Sequence, residues 1–181
     1  MVELNTPTPH HRRGIRSWLR HLVLTNRALA KMFPQPLLAR VSEQIRAAEQ
    51  QHRAELRIVI EGRLNPRELA QGLAPRARAE ELFAHLRVWD TADNCGVLLY
   101  ILVADRAIEL VADRGSCSSE LLKEWGRIVN TLEGEFAARN HAVGLVSAVA
   151  AVNQALIQAF PRGSESPKRA NELCDTPLLI L

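Results

Sequence analysis

Cysteine, aromatic side chains and long apolar runs are what this chain has least of. Its three cysteines, Cys95, Cys117 and Cys174, are odd in number and form no CxxC pair. A disulfide scaffold or a thiolate zinc centre is therefore not expected. Aromatics make up only 4% of the residues, too few for a base-stacking surface, so nucleic acid is not an expected partner. The longest apolar runs, 96–104 and 142–152, fall short of the ~20 residues of a membrane span. Met1 to His10 is polar and proline-bearing, and Arg16, Arg20 and Arg27 interrupt any signal-peptide core. These absences together point to the cytoplasm, with peripheral contact to a membrane as the other expectation.

Catalytic signatures are also missing. The chain holds no glycine-rich phosphate loop, no GxSxG, no HExxH and no acid pair on one helix face. His52, His85 and His141 lie on separate predicted helices, and His10, His11 and His21 lie in a basic N-terminal region. Cys95, with no base near it in sequence, reads as a packing residue.

What is present suits one globular unit. At 181 residues, 47% hydrophobic and 24% charged, the chain can bury a proper core and is too short for two comfortable domains. A basic arm and helix over 1–32, a main domain over 33–161 and a polar tail over 162–181 are the expected divisions. The net charge of +3 is unevenly placed: residues 1–40 carry seven Lys and Arg against Glu3 alone. A basic segment of this kind suits an anionic membrane surface or an acidic protein partner.

The stretch Trp89 to Gly115 reads as the organising element. A polar loop bearing Asp90, Asp93 and Asn94 leads into the apolar run 96–104, and a second run, Ala107 to Ala112, ends at Asp113, Arg114 and Gly115. A β-hairpin with a two-residue turn at Asp105–Arg106 is the economical reading. If Ala104 faces Ala107, Leu98 lies opposite Asp113 and Gly96 opposite Gly115. That register gathers Asp93, Asn94 and Asp113 at one end of the hairpin, which is the candidate site.

The remaining elements follow from periodicity. Ile15 to Phe33 reads as one amphipathic helix, with Trp18, Leu19, Leu22, Leu29 and Phe33 on one face and Arg16, Arg20, Arg27 and Lys31 on another. Docking of its apolar face on its own domain is the expected use, and a membrane surface or protein partner is the alternative. Pro34 and Pro36 divide it from a second helix running to about Ala54, with Glu49 at the edge of its apolar face. Leu56 to Ile60 reads as a strand with Glu55 at its entry. Asn65, Pro66 and Glu68 form a helix start of capping-box type. Helices over Pro75 to Val88, from a cap at Ser116, Ser118 or Ser119 through Phe136, and from His141 to Phe160 complete the count. The fold class is α/β: a small mixed sheet of three to four strands sandwiched between helices, with an extra N-terminal amphipathic helix. A fourth strand would come from 61–64 or from the apolar close of the tail, Pro177 to Leu181, for which disorder with local docking is expected.

Taken in order, Phe33-Pro34, Ala48-Glu49, His52 to Leu56, Ala79 to Phe83, Trp89-Asp90-Thr91, Asn94 with Gly96 to Ile101, Asp105-Arg106, Asp113 to Gly115, Trp125, Gly144 and Phe160-Pro161 resemble the TPM domain family over 33–161. The match is to its short bacterial branch, which lacks a signal peptide and a membrane anchor. The resemblance implies a small sheet between helix pairs and an association with divalent cations, calcium in particular, with Mg2+ or Mn2+ as alternatives. It also implies an acid phosphatase as one possible activity. Carried over by position, the cation's oxygen donors would be Glu49, Glu55, Asp93, Asn94 and Asp113, with Arg114 as an anion contact. An accessory domain in membrane-associated protein maintenance, a metal-assisted phosphatase and a ligand-free structural domain are the three functions that follow.

Overall fold

Alternating apolar residues through Glu55–Glu61 give β1 two buried faces, and the chain covers both. A computed structural model describes residues 13–162 and 173–181. Its elements are helices α1 (Ile15–Val23), α2 (Asn26–Met32) and α3 (Gln35–Glu49), strand β1 (Glu55–Glu61), helices α4 (Pro66–Ala70) and α5 (Pro75–His85), the hairpin β2 (Gly96–Leu102) and β3 (Ala107–Ala112), helices α6 (Ser119–Ala137) and α7 (His141–Ala159), and strand β4 (Leu178–Ile180). The sheet runs β3-β2-β1-β4, with β1 parallel to β2 and β4, and β2 antiparallel to β3. It is the small mixed sheet between helices that the pattern implies.

The two-residue alternation sorts the core. Ile58, Ile60, Val97, Leu99 and Ile101 pack with α3, α6 and α7 on one face. Val59, Leu98, Tyr100 and Leu102 pack with α5 on the other. α7 is long and apolar enough to cross a bilayer, yet its Leu145, Val149, Val152 and Leu156 are wholly buried in this core. Asn65 accepts from the backbone of Arg67 and Glu68 while Glu68 reaches back, the expected capping box. Ser118, one of the three expected caps, closes the start of α6.

Four expectations are corrected. The hairpin turn has four residues, 103–106, with Arg106 in the left-handed region at φ 56°. The register therefore shifts by two: Leu98 pairs with Val111, and Asp113 lies beside Gly96, to whose carbonyl it donates at 2.9 Å. An even shift leaves every side chain on its expected face. The helix expected over 15–33 is two helices, because Leu24 turns extended and Thr25 caps α2, accepting from Ala28. α3 stops at Glu49, short of Ala54. The end of the tail, one of the two expected sources of a fourth strand, is an ordered strand on the edge of β1 in place of disorder with local docking, held by Arg57, which donates to the carbonyls of Cys174 and Thr176.

The helix α1 is docked in reverse. Its buried residues are Ser17 and His21, while Ile15, Trp18, Leu19, Leu22 and Val23 are exposed. The expectation that its apolar face covers the domain is wrong for Trp18, Leu19 and Leu22 and right for Leu29 and Phe33, which are buried. A polar hub overrides the hydrophobic preference. The Asp105 carboxylate accepts from Arg13 Nε at 2.7 Å, from the Ser17 hydroxyl and from His21 Nε2 at 3.0 Å, and the Leu64 N–H donates to His21 Nδ1. Burial alone would raise the pKa of Asp105, but the hydrogen bonds from His21, Ser17 and Arg13 outweigh it and hold the carboxyl well below its usual range.

Candidate functional site

Parallel pairing places the starts of β1 and β2 side by side, and the antiparallel β3 returns to the same end. Glu55 pairs with Gly96, and Asp113 is bonded to Gly96. The loop before β2 meets the turn after β3: the Gly115 N–H donates to the Asn94 carbonyl at 3.0 Å. A Cβ at Gly115 would stand 2.5 Å from that oxygen, so this approach requires glycine. Asn94 itself holds φ at 52°, a conformation that asparagine tolerates better than most residues. Gly96 is equally constrained, since a Cβ there would meet the Val88 carbonyl at 1.8 Å.

All five expected donors therefore stand at one end of the sheet, in two groups. Asp93 faces the Arg53 guanidinium at 3.7 Å. Asp113 accepts from the Arg114 N–H at 2.7 Å and caps the single 3-10 turn Arg114–Ser116. Arg114 is exposed there. Cys95 is buried, with its thiol donating to the Arg53 carbonyl.

The second group lies at the junction of α3 and β1. Burial, the Glu55 carboxylate and that of Asp175 push Glu49 up to about 8, against the opposing pull of the Leu56 N–H and Arg162. Its Oε1 is buried with no hydrogen-bond partner among the described residues. Desolvation pushes the pKa of the buried His52, at the same junction, below its ordinary value, with Asn153 as its neighbour. Residues 51–53 and 160–162 close the junction by backbone pairing, Arg53 donating to Phe160 and Arg162 to Gln51. Among the described residues, no three His, Cys, Asp or Glu side chains converge closely enough to cage a metal as they stand.

Sequence reasoning missed Asp175, Arg53 and Arg162. Asp175 is buried near Glu49 and meets Arg46 at 3.3 Å. It sits in the tail, where nothing local announces a return to the sheet. Arg53 lies in the family stretch His52 to Leu56 with nothing to mark it as a site residue, Arg162 carries no motif, and only the pairing of 51–53 with 160–162 brings them in.

A family model described as the TPM domain matches residues 28–155. The chain belongs to the TPM domain family. Among solved structures, the TPM chain described here is similar to the NMR structure of the BA42 protein from the psychrophilic bacterium Bizionia argentinensis, with a TM-score of 0.65 and 23% identity over 80% of this chain and 92% of that one. At that identity the likeness speaks for the fold. No curated protein matches. The TPM match begins inside α2 and leaves α1 outside it.

Proposed function

We propose that this TPM domain is a non-enzymatic accessory module that binds a divalent cation where α3 hands over to β1, with Glu49 and Glu55 as the first oxygen donors. One observation carries the reading: a partially buried carboxyl with a partnerless oxygen, Glu49, is held protonated beside a second carboxylate. Ionising both carboxyls of such a pair at a strand entry costs stability unless something positive joins them. A hard cation with oxygen ligands is the chemistry that fits, and calcium tolerates the irregular geometry that two loops and a helix end supply. Asp93, Asn94 and Asp113 stand at the same sheet end as further donors. Asp93 would exchange Arg53 for the cation, and Asp113 would offer the oxygen not used in capping. The accessory role in maintaining proteins at a membrane rests on the family resemblance.

The placement of Arg53, Arg162 and Arg114 around the same sheet end favours a second reading, a metal-assisted phosphatase. Cations so placed could clamp a phosphoryl group while the bound metal polarises it.

Calcium, then magnesium and manganese, titrated into metal-free protein with amide NMR detection tests both readings. Saturable shifts confined to 49–56, 93–96 and 113–115, weakened in Glu49→Gln and Asp113→Ala, support the cation site. No shift at millimolar cation contradicts it. Hydrolysis of p-nitrophenyl phosphate by the loaded protein, lost with Arg53→Ala, would replace the accessory reading by the enzyme.

A further inference from the structure

The reversed docking of α1 leaves an unusual surface. At about 100° per residue, Ile15, Trp18, Leu19, Leu22 and Val23 share one arc of ~140°, opposite the Ser17 and His21 that bind the hub. Ile15, Leu22 and Val23 are each at least 67% exposed, and Trp18 is 40% exposed. Arg16 and Arg20 flank this arc on the Val23 side. Exposed apolar patches of this size mark a surface that something covers.

Val23 and Arg20 also belong to a pocket of about 350 Å³ between α1, α2, the β2–β3 turn and the α6–α7 turn. Leu24, Met32, Val103 and Phe136 make its walls apolar, and Arg106, Arg139 and His141 stand at its rim with Arg20. Among the described residues, no acidic side chain lines it. Arg106 and Arg139 both sit at positive φ, 56° and 65°, on their turns. Neither makes an ion pair among the described residues. Burial and then the field of these two arginines hold the His141 imidazole below its ordinary pKa, so the cations converge without neutralisation. Apolar face and cationic pocket are continuous through Val23.

We propose that this surface docks on an anionic phospholipid bilayer, with the apolar arc of α1 entering the interface and the arginines of the pocket taking lipid phosphates. Charge complementarity selects the occupant: basic residues with no acid among them surround an apolar face, the arrangement by which amphipathic helices lie in a charged interface. Trp18, at the edge of the arc away from the arginines, suits the headgroup boundary. The proposal is independent of the cation site, which lies at the other end of the sheet.

Co-sedimentation of the full chain with phosphatidylglycerol–phosphatidylcholine vesicles and with pure phosphatidylcholine vesicles, in the presence of a chelator, tests it. Binding to the anionic vesicles alone is expected, weakened by salt, lost in Leu19→Asp/Leu22→Asp, and reduced by at least roughly fivefold in each of Arg106→Glu and Arg139→Glu. These positions are exposed or at a rim, and a thermal melt confirms that each variant is folded. Failure to bind anionic vesicles, equal binding to neutral ones, or binding unchanged in the folded variants overturns it. So does a dimer in solution that the Leu19→Asp/Leu22→Asp variant dissociates, since the face would then belong to a second copy of the chain.

Discussion

Glu49 carries a proton at neutral pH, and that proton has a thermodynamic signature. Its pKa in the fold is about 8 against an ordinary value of 4.5. Between those limits the folded state binds more protons than the unfolded one, so stability falls as pH rises. The melting temperature of metal-free protein is expected to decline from pH 5 to pH 8 and to level off above, and Glu49→Gln is expected to flatten that slope. A wild-type slope retained in the variant would place the titration elsewhere. Glu49 and Glu55 were legible as candidates from the family pattern, and Asp93, Asn94 and Asp113 also from the hairpin. What no residue pattern disclosed was that Asp113 spends one oxygen on capping Arg114 and that Asp93 faces Arg53, because both depend on where loops meet.

At the scale of the element, periodicity told which residues share a face and not which face docks. The arc of α1 was read correctly as amphipathic, yet Asp105, sitting in the hairpin turn, draws its polar side inward. One buried carboxylate with three donors decides the orientation. Asp105→Asn is expected to weaken α1 docking by about 3 kcal/mol or more, since it strands buried donors and leaves the buried Arg13 unpaired. Hydrogen exchange checks this: amides of Ile15–Val23 lose protection while those of Gly96–Leu102 keep theirs. Acid does the same to the native chain. The carboxyl is held below its ordinary 3.8, so its contribution is complete above that value and is lost as pH falls below it. The hairpin shows the opposite case. A four-residue turn in place of two moved the register and changed nothing about burial, because the shift was even.

For the whole molecule, the α/β class, the mixed sheet and the helix order were legible because each strand is short, apolar and bounded by turns. The closing strand was legible only as one of two alternatives. Leu178–Ile180 pairs with β1, and Arg57, buried on the sheet, fastens it by finding acceptors in the tail at Cys174 and Thr176, a long-range contact that no local pattern announces. Removal of 173–181 leaves that guanidinium without them and opens the edge of β1. A loss of about 3 kcal/mol or more in chemical denaturation is expected. A truncated chain as stable as the intact one would show that the strand is an ornament of the sheet. Removing Asp175 with the tail also takes one carboxylate from the neighbourhood of Glu49 and should lower the pKa of that group.

The cation site is tested most directly by calorimetry of calcium binding at pH 7 in buffers of different ionisation enthalpy. A metal entering between Glu49 and Glu55 must displace the Glu49 proton, so release of about one proton per calcium is expected. The release should fall towards zero above pH 9 and should be absent in Glu49→Gln. Binding without proton release, release unchanged in that variant, or no binding at all would contradict the assignment of the α3–β1 junction as the cation site.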